Sequence, residues 1–265
     1  MAHIIAIANQ KGGVGKTTTT VNLGASLALA EKKTLLIDVD PQGNSTTGLG
    51  IERISLQQSL YHTLIGEVSL ADIILATELP YLFVAPSTKD LTGAEIELVN
   101  SERREWRLKD ALNSVEPQFE YILLDCPPSL GLLTLNALTA ARSVLVPLQC
   151  EYYALEGLTS LLETIKLVQQ RLNPGLHLEG ILLTMFDIRN RLAHQVAEEI
   201  RSHFPDRLFR TVIHRNVRLS ESPSHGKPAL LYDVHSTGAQ NYLDLAKELI
   251  RNGEEIRRAD TKGTG

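Results

Sequence analysis

The glycine-rich stretch KGGVGKTT, residues 11–18, restricts the fold of this chain more than any other segment. Only Asn9 and Gln10 separate it from the apolar run IIAIA (4–8), and a helix is predicted to begin near Gly15. Backbone N–H groups of a glycine loop converge on anions, and a helix N-terminus adds its partial positive charge. The sequence therefore predicts a phosphate-binding loop, whose members are Gly12, Gly13, Val14, Gly15, Lys16, Thr17 and Thr18.

This loop departs from the standard pattern G-x-x-x-x-G-K-[ST], because Gln10 stands where the first glycine is required. Lys16 is placed to reach the β- and γ-phosphates of a nucleotide, and the Thr17 hydroxyl is placed to bind Mg²⁺. The loop also carries a second lysine, Lys11, for which the standard pattern has no use.

Short apolar runs alternate with segments long enough for helices along most of the chain. The runs are apolar nearly throughout, which is typical of strands covered on both faces. We expect an α/β fold with a doubly wound, mostly parallel sheet and helices on both faces. The predicted strands are IIAIA (4–8), TLLIDV (34–39), YLFVAP (81–86), YILLD (121–125), SVLVPLQ (143–149), EGILLTM (179–185) and LFRTVI (208–213).

No linker-like stretch divides the chain, so residues 1–252 are predicted to form a single domain that contains the phosphate-binding loop. Residues 253–265 are polar, and we expect a poorly ordered tail there.

Acidic residues end two of the predicted strands, where an α/β sheet presents its ligand-binding crevice. Asp38 and Asp40 end the second strand, and Asp125 ends the fourth. Asp125 is interpreted as the residue that orients Mg²⁺ or its bound water. Asp40 precedes the turn-forming run Pro-Gln-Gly-Asn, which suits a mobile loop near the γ-phosphate. The predicted metal site is Thr17, Asp40 and Asp125, and Lys16 and Asp40 are predicted to be catalytic.

Composition narrows the remaining classes of protein. The two cysteines, Cys126 and Cys150, are too few for a disulfide framework or a four-ligand zinc site, and buried thiols are expected. No apolar run approaches the ~20 residues of a membrane span, and the amino terminus lacks the pattern of a secretory leader. We expect a reduced, cytoplasmic protein with no membrane contact.

The motifs K-G-G-V-G-K-T-T, D-x-D-P-Q-G-N and L-L-D-C-P-P resemble the deviant Walker A ATPases of the MinD/ParA superfamily. Among these, the ParA/Soj partition proteins are the most similar, with further likeness over residues 146–157, 181–187 and 210–228. The resemblance implies ATP and Mg²⁺ as cofactors. It also implies a nucleotide-dependent homodimer in which Lys11 contacts the nucleotide of the partner subunit, which makes Lys11 a third predicted catalytic residue. It also implies hydrolysis stimulated by a ParB/Spo0J-type partition protein.

The resemblance further implies that a loop containing His214 and Asn216 lies against the adenine. His214 and Ser222 stand where the family pattern I-P-R-N-V-R-L-S-E-A-P-S has proline and alanine. His3 stands where close relatives often have a basic residue.

Charge is unevenly distributed along the chain. The net charge is −5, but residues 189–227 hold eight basic side chains against four acidic ones. Such a segment forms either a scattered solvated surface or a basic stripe that contacts phosphates. The resemblance favours the stripe, with Arg189, Arg215, Arg218 and Lys227 as DNA contacts. Since no sequence-reading motif accompanies it, binding to double-stranded DNA is expected to be non-specific and the protein nucleoid-associated.

The predicted function is an ATP-dependent chromosome or plasmid partition ATPase with slow intrinsic turnover. Two alternatives come from the same superfamily. One is an enzyme that uses ATP for amide formation or metal transport. The other is a MinD-like ATPase that positions cell division, although residues 239–258 alternate acids and bases where a membrane-binding helix would be basic.

Overall fold

The structure is a computed structural model that describes the backbone of residues 1–262 and the side chains of residues 1–255. Seven strands form one sheet in the order β3-β4-β2-β5-β1-β6-β7. Neighbouring strands are parallel, except that β3 is antiparallel to β4. The strands are β1 (His3–Ile7), β2 (Thr34–Asp38), β3 (Leu75–Ala76), β4 (Leu82–Ala85), β5 (Tyr121–Asp125), β6 (Ser143–Gln149) and β7 (His177–Thr184).

Helices connect the strands, and short 3₁₀ turns lie between them. The helices are α1 (Lys16–Leu29), α2 (Asn44–Gly48), α3 (Leu60–Ile65), α4 (Leu91–Glu97), α5 (Arg107–Leu112), α6 (Leu132–Ala140), α7 (Ala154–Arg171), α8 (Arg191–His203), α9 (Val217–Glu221), α10 (Ala229–Tyr232) and α11 (Thr237–Lys262). The helix predicted to begin near Gly15 is confirmed as α1.

Both faces of the sheet are buried, which explains the apolar runs. In β1, Ile5 and Ile7 belong to a core shared with α1 and α11. The alternate residues Ile4 and Ala6 belong to a second core, shared with helices α3 to α8. Successive side chains of a strand point to opposite faces, so every position of such a strand has to be apolar. The predicted doubly wound α/β fold is confirmed.

Strand register brings the carboxyl ends of three central strands together. Asp125 at the end of β5 is the Cα partner of both Ile7 in β1 and Asp38 in β2. The glycine loop leaves β1 at this same level, between β5 and β6. The predicted crevice therefore lies where the chain changes the direction in which it adds strands.

The predicted strand at 208–213 is wrong, although this segment does run alongside β7. Phe209 N–H donates to the Ile181 carbonyl, and Ile213 N–H donates to the Leu183 carbonyl. Between them, the N–H groups of Arg210 and Thr211 donate to the carboxylate of Glu248 in α11, at 2.8 and 2.9 Å. This side chain takes the place of a neighbouring strand, so the contacts with β7 remain isolated bridges.

Two further differences concern short or terminal segments. The two-residue β3 was not predicted. Helix α11 continues to Lys262 and so passes the boundary predicted at residue 252, while residues 263–265 lie outside the described residues. The division into a domain at 1–252 and a tail at 253–265 stays a prediction. Among the described residues, no helix is long and apolar enough to cross a membrane.

Candidate functional site

A cavity of about 640 Å³ opens at the carboxyl ends of the central strands. The glycine loop and the start of α1 form one wall, and the loop after β2 and the segment following Ile213 form others. Of the predicted nucleotide-binding residues, those that line the cavity are Gly12, Gly13, Gly15, Lys16, Thr17, Thr18, His214 and Asn216. The Val14 side chain is buried instead, and the Val14 carbonyl accepts a 2.8 Å hydrogen bond from the Thr184 hydroxyl.

The glycines give the loop its shape and keep it open. Gly13 and Gly15 have φ of 74° and 88°, a left-handed conformation that side chains disfavour. A Cβ atom at Gly12 or Gly13 would meet no protein atom within 4 Å. The loop therefore leaves room beside its backbone, as the approach of a phosphate group requires.

Lys16, the first residue of α1, is buried beside this space. Its ammonium group donates a 3.1 Å hydrogen bond to the Lys11 carbonyl across the loop. Burial lowers the pKa of Lys16, and the negative charges of Asp125 and Asp40 oppose that shift. A buried ammonium group at a loop with room for phosphates can form charge-assisted hydrogen bonds with a triphosphate.

The second loop lysine, Lys11, is not among the residues that line the cavity. Its ammonium group forms an ion pair with Glu151, which follows β6. The next two residues, Tyr152 and Tyr153, are exposed aromatic side chains, 76% and 66% accessible. The second loop lysine therefore belongs to an exposed surface beside the site.

The strand-end aspartates are fully buried and anchor α2. Asp125 accepts a 2.6 Å hydrogen bond from the Ser45 hydroxyl, and Asp38 accepts hydrogen bonds from both the N–H and the hydroxyl of Thr46. Burial raises the pKa of Asp125, against hydrogen bonds from Ser45 and Thr17 that lower it. Burial and the nearby charge of Asp125 raise the pKa of Asp38 as well.

Asp40 is the acidic residue that reaches the cavity. The turn that follows is held by two hydrogen bonds of 2.9 Å, from Gly43 N–H to the Asp40 carbonyl and from Gln42 N–H to Asp40 Oδ1. The Thr17 hydroxyl and the carboxylates of Asp40 and Asp125 are hard oxygen donors, the kind that Mg²⁺ prefers. Since the Thr17 hydroxyl hydrogen-bonds to Asp125, this donor set fits a magnesium ion.

Several residues that line the cavity were not predicted from the sequence. Thr184 and Met185 come from the end of β7, and Met185 has an unusual φ of 49°. Tyr242 comes from α11, where its buried hydroxyl lies 3.1 Å from the Thr19 hydroxyl. No local sequence pattern predicts that a tyrosine of an amphipathic helix near the carboxyl terminus lines a cavity built around a loop near the amino terminus.

The predicted DNA contacts do not form a row of free cations. Arg189 makes a two-pronged ion pair with Asp187, at 3.0 and 2.9 Å. Arg215 lies close enough to Asp187 for its charge to lower the pKa of that carboxyl further. Arg218 pairs with Glu221 and Asp233, and Lys227 pairs with Glu78. Arg189 and Arg215 thus share one acidic neighbour, while Arg218 and Lys227 have their own.

The two thiols are buried, as predicted. Burial raises the pKa of Cys150 to about 11 and that of Cys126 further still, so neither is a reactive thiolate.

Comparison with known proteins gives consistent matches. The family described as "AAA domain" matches residues 2–178. The chain is 60% identical to the sporulation initiation inhibitor protein Soj of Bacillus subtilis, over 96% of this chain and 100% of that protein. It is 58% identical to the chromosome partitioning protein ParA of Myxococcus xanthus, over 95% and 89% of the two chains.

Among solved structures, cobyrinic acid a,c-diamide synthase of Mycobacterium smegmatis with bound ADP and magnesium superposes with a TM-score of 0.84. That match is 37% identical and covers 96% of each chain. The identities over nearly the full length show that this chain belongs to the ParA/Soj family of partition ATPases.

Proposed function

We propose that this protein is a DNA-partition ATPase that dimerises on ATP, binds DNA non-specifically as the dimer, and is reset by hydrolysis. The observation that carries the proposal is the separation of the two loop lysines. Lys16 lies buried at the cavity, while Lys11 lies outside it, on a surface beside exposed tyrosines. One chain therefore offers a nucleotide site and, next to it, a cation available to a second chain.

In this proposal the triphosphate of ATP occupies the space beside Gly12 and Gly13, where backbone N–H groups and Lys16 neutralise its charge. Thr17, Asp40 and Asp125 would hold Mg²⁺, which supplies charge neutralisation at the phosphates when bound. Asp40 lies on the cavity wall and positions or activates the attacking water. The magnesium-bound structure of the synthase supports this choice of cofactors.

The exposed surface around Lys11 supports the proposed dimerisation. Exposed aromatic side chains are typical of surfaces that a partner covers. A lysine delivered to the triphosphate of the partner subunit offsets negative charge, so assembly and nucleotide state become linked.

DNA binding is assigned to Arg189, Arg215, Arg218 and Lys227. Each of these four side chains is exposed or half-exposed. Three of them form surface ion pairs, which contribute less than about 1 kcal/mol and can therefore be replaced by contacts with phosphates. Two copies of such a surface on one dimer bind more strongly than one, because the second contact is effectively intramolecular. The protein would then act in the cytoplasm on the nucleoid, with a ParB-type partner stimulating hydrolysis.

The experiment is retention of the protein on random-sequence DNA with ATP, with ADP and without nucleotide, at moderate salt. We expect the protein to be retained on DNA in the presence of ATP, but not with ADP or without nucleotide. Light scattering on the same samples should show a dimer with ATP and a monomer with ADP. An amide-forming or metal-transporting enzyme of this fold would hydrolyse or bind ATP without retention, and that result would overturn the proposal.

A further inference from the structure

His214 is the residue at which this chain departs from the family pattern inside the candidate nucleotide site. It stands in place of proline, and its side chain lines the cavity with Asn216. Proline has no side-chain hydrogen-bonding atom, whereas the imidazole ring has two nitrogens that act as donor or acceptor. The change therefore adds a polar group to a wall of the site.

Asn241 in α11 determines which nitrogen of His214 carries the proton. The backbone N–H of His214 lies 3.2 Å from Asn241 Oδ1, and this N–H can act as a donor only. The Asn241 atom is therefore the carbonyl oxygen of the amide, an acceptor. The same oxygen lies 3.3 Å from His214 Nδ1, so Nδ1 has to be the protonated nitrogen. In the neutral ring, Nε2 is then an acceptor.

The position of the ring is restricted as well. Phe186 lies edge-on to His214, with ring centroids 6.3 Å apart. Its backbone brackets the same residue, since Phe186 N–H donates to the Ile213 carbonyl and Arg215 N–H donates to the Phe186 carbonyl. With Nδ1 held by Asn241, the hydrogen-bonding atom that His214 can offer to the cavity is Nε2, and it has no partner among the described residues.

Asn216 presents the opposite chemistry. Its Oδ1 accepts a 2.9 Å hydrogen bond from Arg218 N–H at the start of α9. The side-chain amide therefore has its N–H donors left for the cavity. An acceptor and a donor on one wall match a ring that carries an amino group next to a ring nitrogen.

We propose that His214 Nε2 accepts a hydrogen bond from the exocyclic amino group of adenine, and that Asn241 is the positioning residue that keeps Nε2 an acceptor. Hypoxanthine has an oxygen in place of that amino group, so it would set acceptor against acceptor. The inference rests on the nucleotide site proposed above and adds the residue that selects the base.

The test measures dissociation constants of Mg-ADP, Mg-IDP and the diphosphate of unsubstituted purine riboside by calorimetry on the full chain. Diphosphates are used so that binding is not coupled to ATP-dependent assembly. We expect the wild type to prefer ADP to the other two by about tenfold, the size of one neutral hydrogen bond. His214→Phe keeps an aromatic ring but removes the acceptor, so its preference for ADP over the unsubstituted purine diphosphate should fall to within about twofold, with affinity for the unsubstituted purine diphosphate unchanged.

Asn241→Ala should also lose the preference for ADP over the unsubstituted purine diphosphate while retaining affinity for the latter, which a merely structural defect would not do. His194→Phe is the matched control, since the His194 ring also packs against Phe186, with ring centroids 5.1 Å apart, but does not line the cavity. Melting temperatures establish that each variant is folded. Equal wild-type affinity for ADP and the unsubstituted purine diphosphate, or a preference between these two that survives in His214→Phe, would overturn the inference. A wild type that binds none of the three would instead refute the nucleotide site itself.

Discussion

Lys11 and Glu151 form an ion pair within one chain, at the surface where the proposed partner subunit would dock. Lys11 has to leave Glu151 before it can contact a second nucleotide, so the pair opposes assembly. Both side chains are more than a third exposed, at 39% and 46%, so the pair contributes less than about 1 kcal/mol.

Glu151→Gln should therefore lower the ATP concentration at half-maximal dimerisation, by no more than about fivefold. Lys11→Ala should still bind ATP through Lys16 and the loop, and should fail to dimerise and to hydrolyse it. Light scattering across an ATP titration measures both variants. Normal dimerisation of Lys11→Ala would mean that this lysine is only a solvated loop residue.

Asp40→Ala should bind ATP and stay dimeric while hydrolysis falls by at least about 100-fold, because water activation is lost without loss of the phosphate loop. Phosphate release under saturating ATP measures turnover. Lys16→Ala is the contrasting variant, since it should lose nucleotide binding itself. Wild-type turnover in Asp40→Ala would remove this residue from the chemistry.

Arg189→Glu and Arg218→Glu should abolish ATP-dependent retention on DNA and leave dimerisation and basal hydrolysis intact. Arg201→Glu is a matched control, because Arg201 lies in the same basic segment with a similar surface ion pair but outside the predicted contacts. For the wild type, affinity should fall steeply with salt and vary little with sequence, as phosphate contacts do. If both variants are still retained on DNA with ATP, the DNA-binding surface does not include Arg189 and Arg218.

Glu248→Ala should destabilise the fold by about 2 kcal/mol or more, because the N–H groups of Arg210 and Thr211 lose their acceptor. Glu248→Gln keeps one oxygen and should lie between. Urea denaturation measures the effect, with Glu163→Ala, an exposed change in α7, as the control. Equal stability of Glu248→Ala and Glu163→Ala would show that these hydrogen bonds contribute little.

Glu179→Gln should give a pH-dependent loss of stability. Burial raises the pKa of Glu179, but the hydrogen bond and charge of His3, together with a hydrogen bond from Ser143 and the charge of His177, leave the pKa below its ordinary value of 4.5. A lowered folded-state pKa stabilises the fold above the unfolded value, and this contribution disappears as pH falls through the folded value. The difference between the melting temperatures of wild type and variant should therefore be largest near pH 6 and decrease below pH 4.5. A constant gap would contradict this assignment.

The sheet was predictable because strands buried on both faces leave a plain apolar signal, as in β1 and β5. The glycine loop was predictable because its chemistry is local in sequence. Three ion pairs of the basic segment were not, since Asp187, Asp233 and Glu78, the partners of Arg189, Arg218 and Lys227, lie outside residues 189–227. Segment 208–213 was misassigned for a related reason: its acceptor, Glu248, comes from a distant helix.

The way that the 208–213 segment lies beside β7 also bears on solubility. An outer strand with a long row of unpaired N–H and C=O groups invites pairing with another molecule, and then aggregation. Here the N–H groups of Phe209 and Ile213 bond to β7, while those of Arg210 and Thr211 are taken by Glu248. At the opposite side, β3 offers just two residues, Leu75–Ala76. Within the described residues, both edges of the sheet thus offer few free backbone groups for the addition of a strand from another molecule.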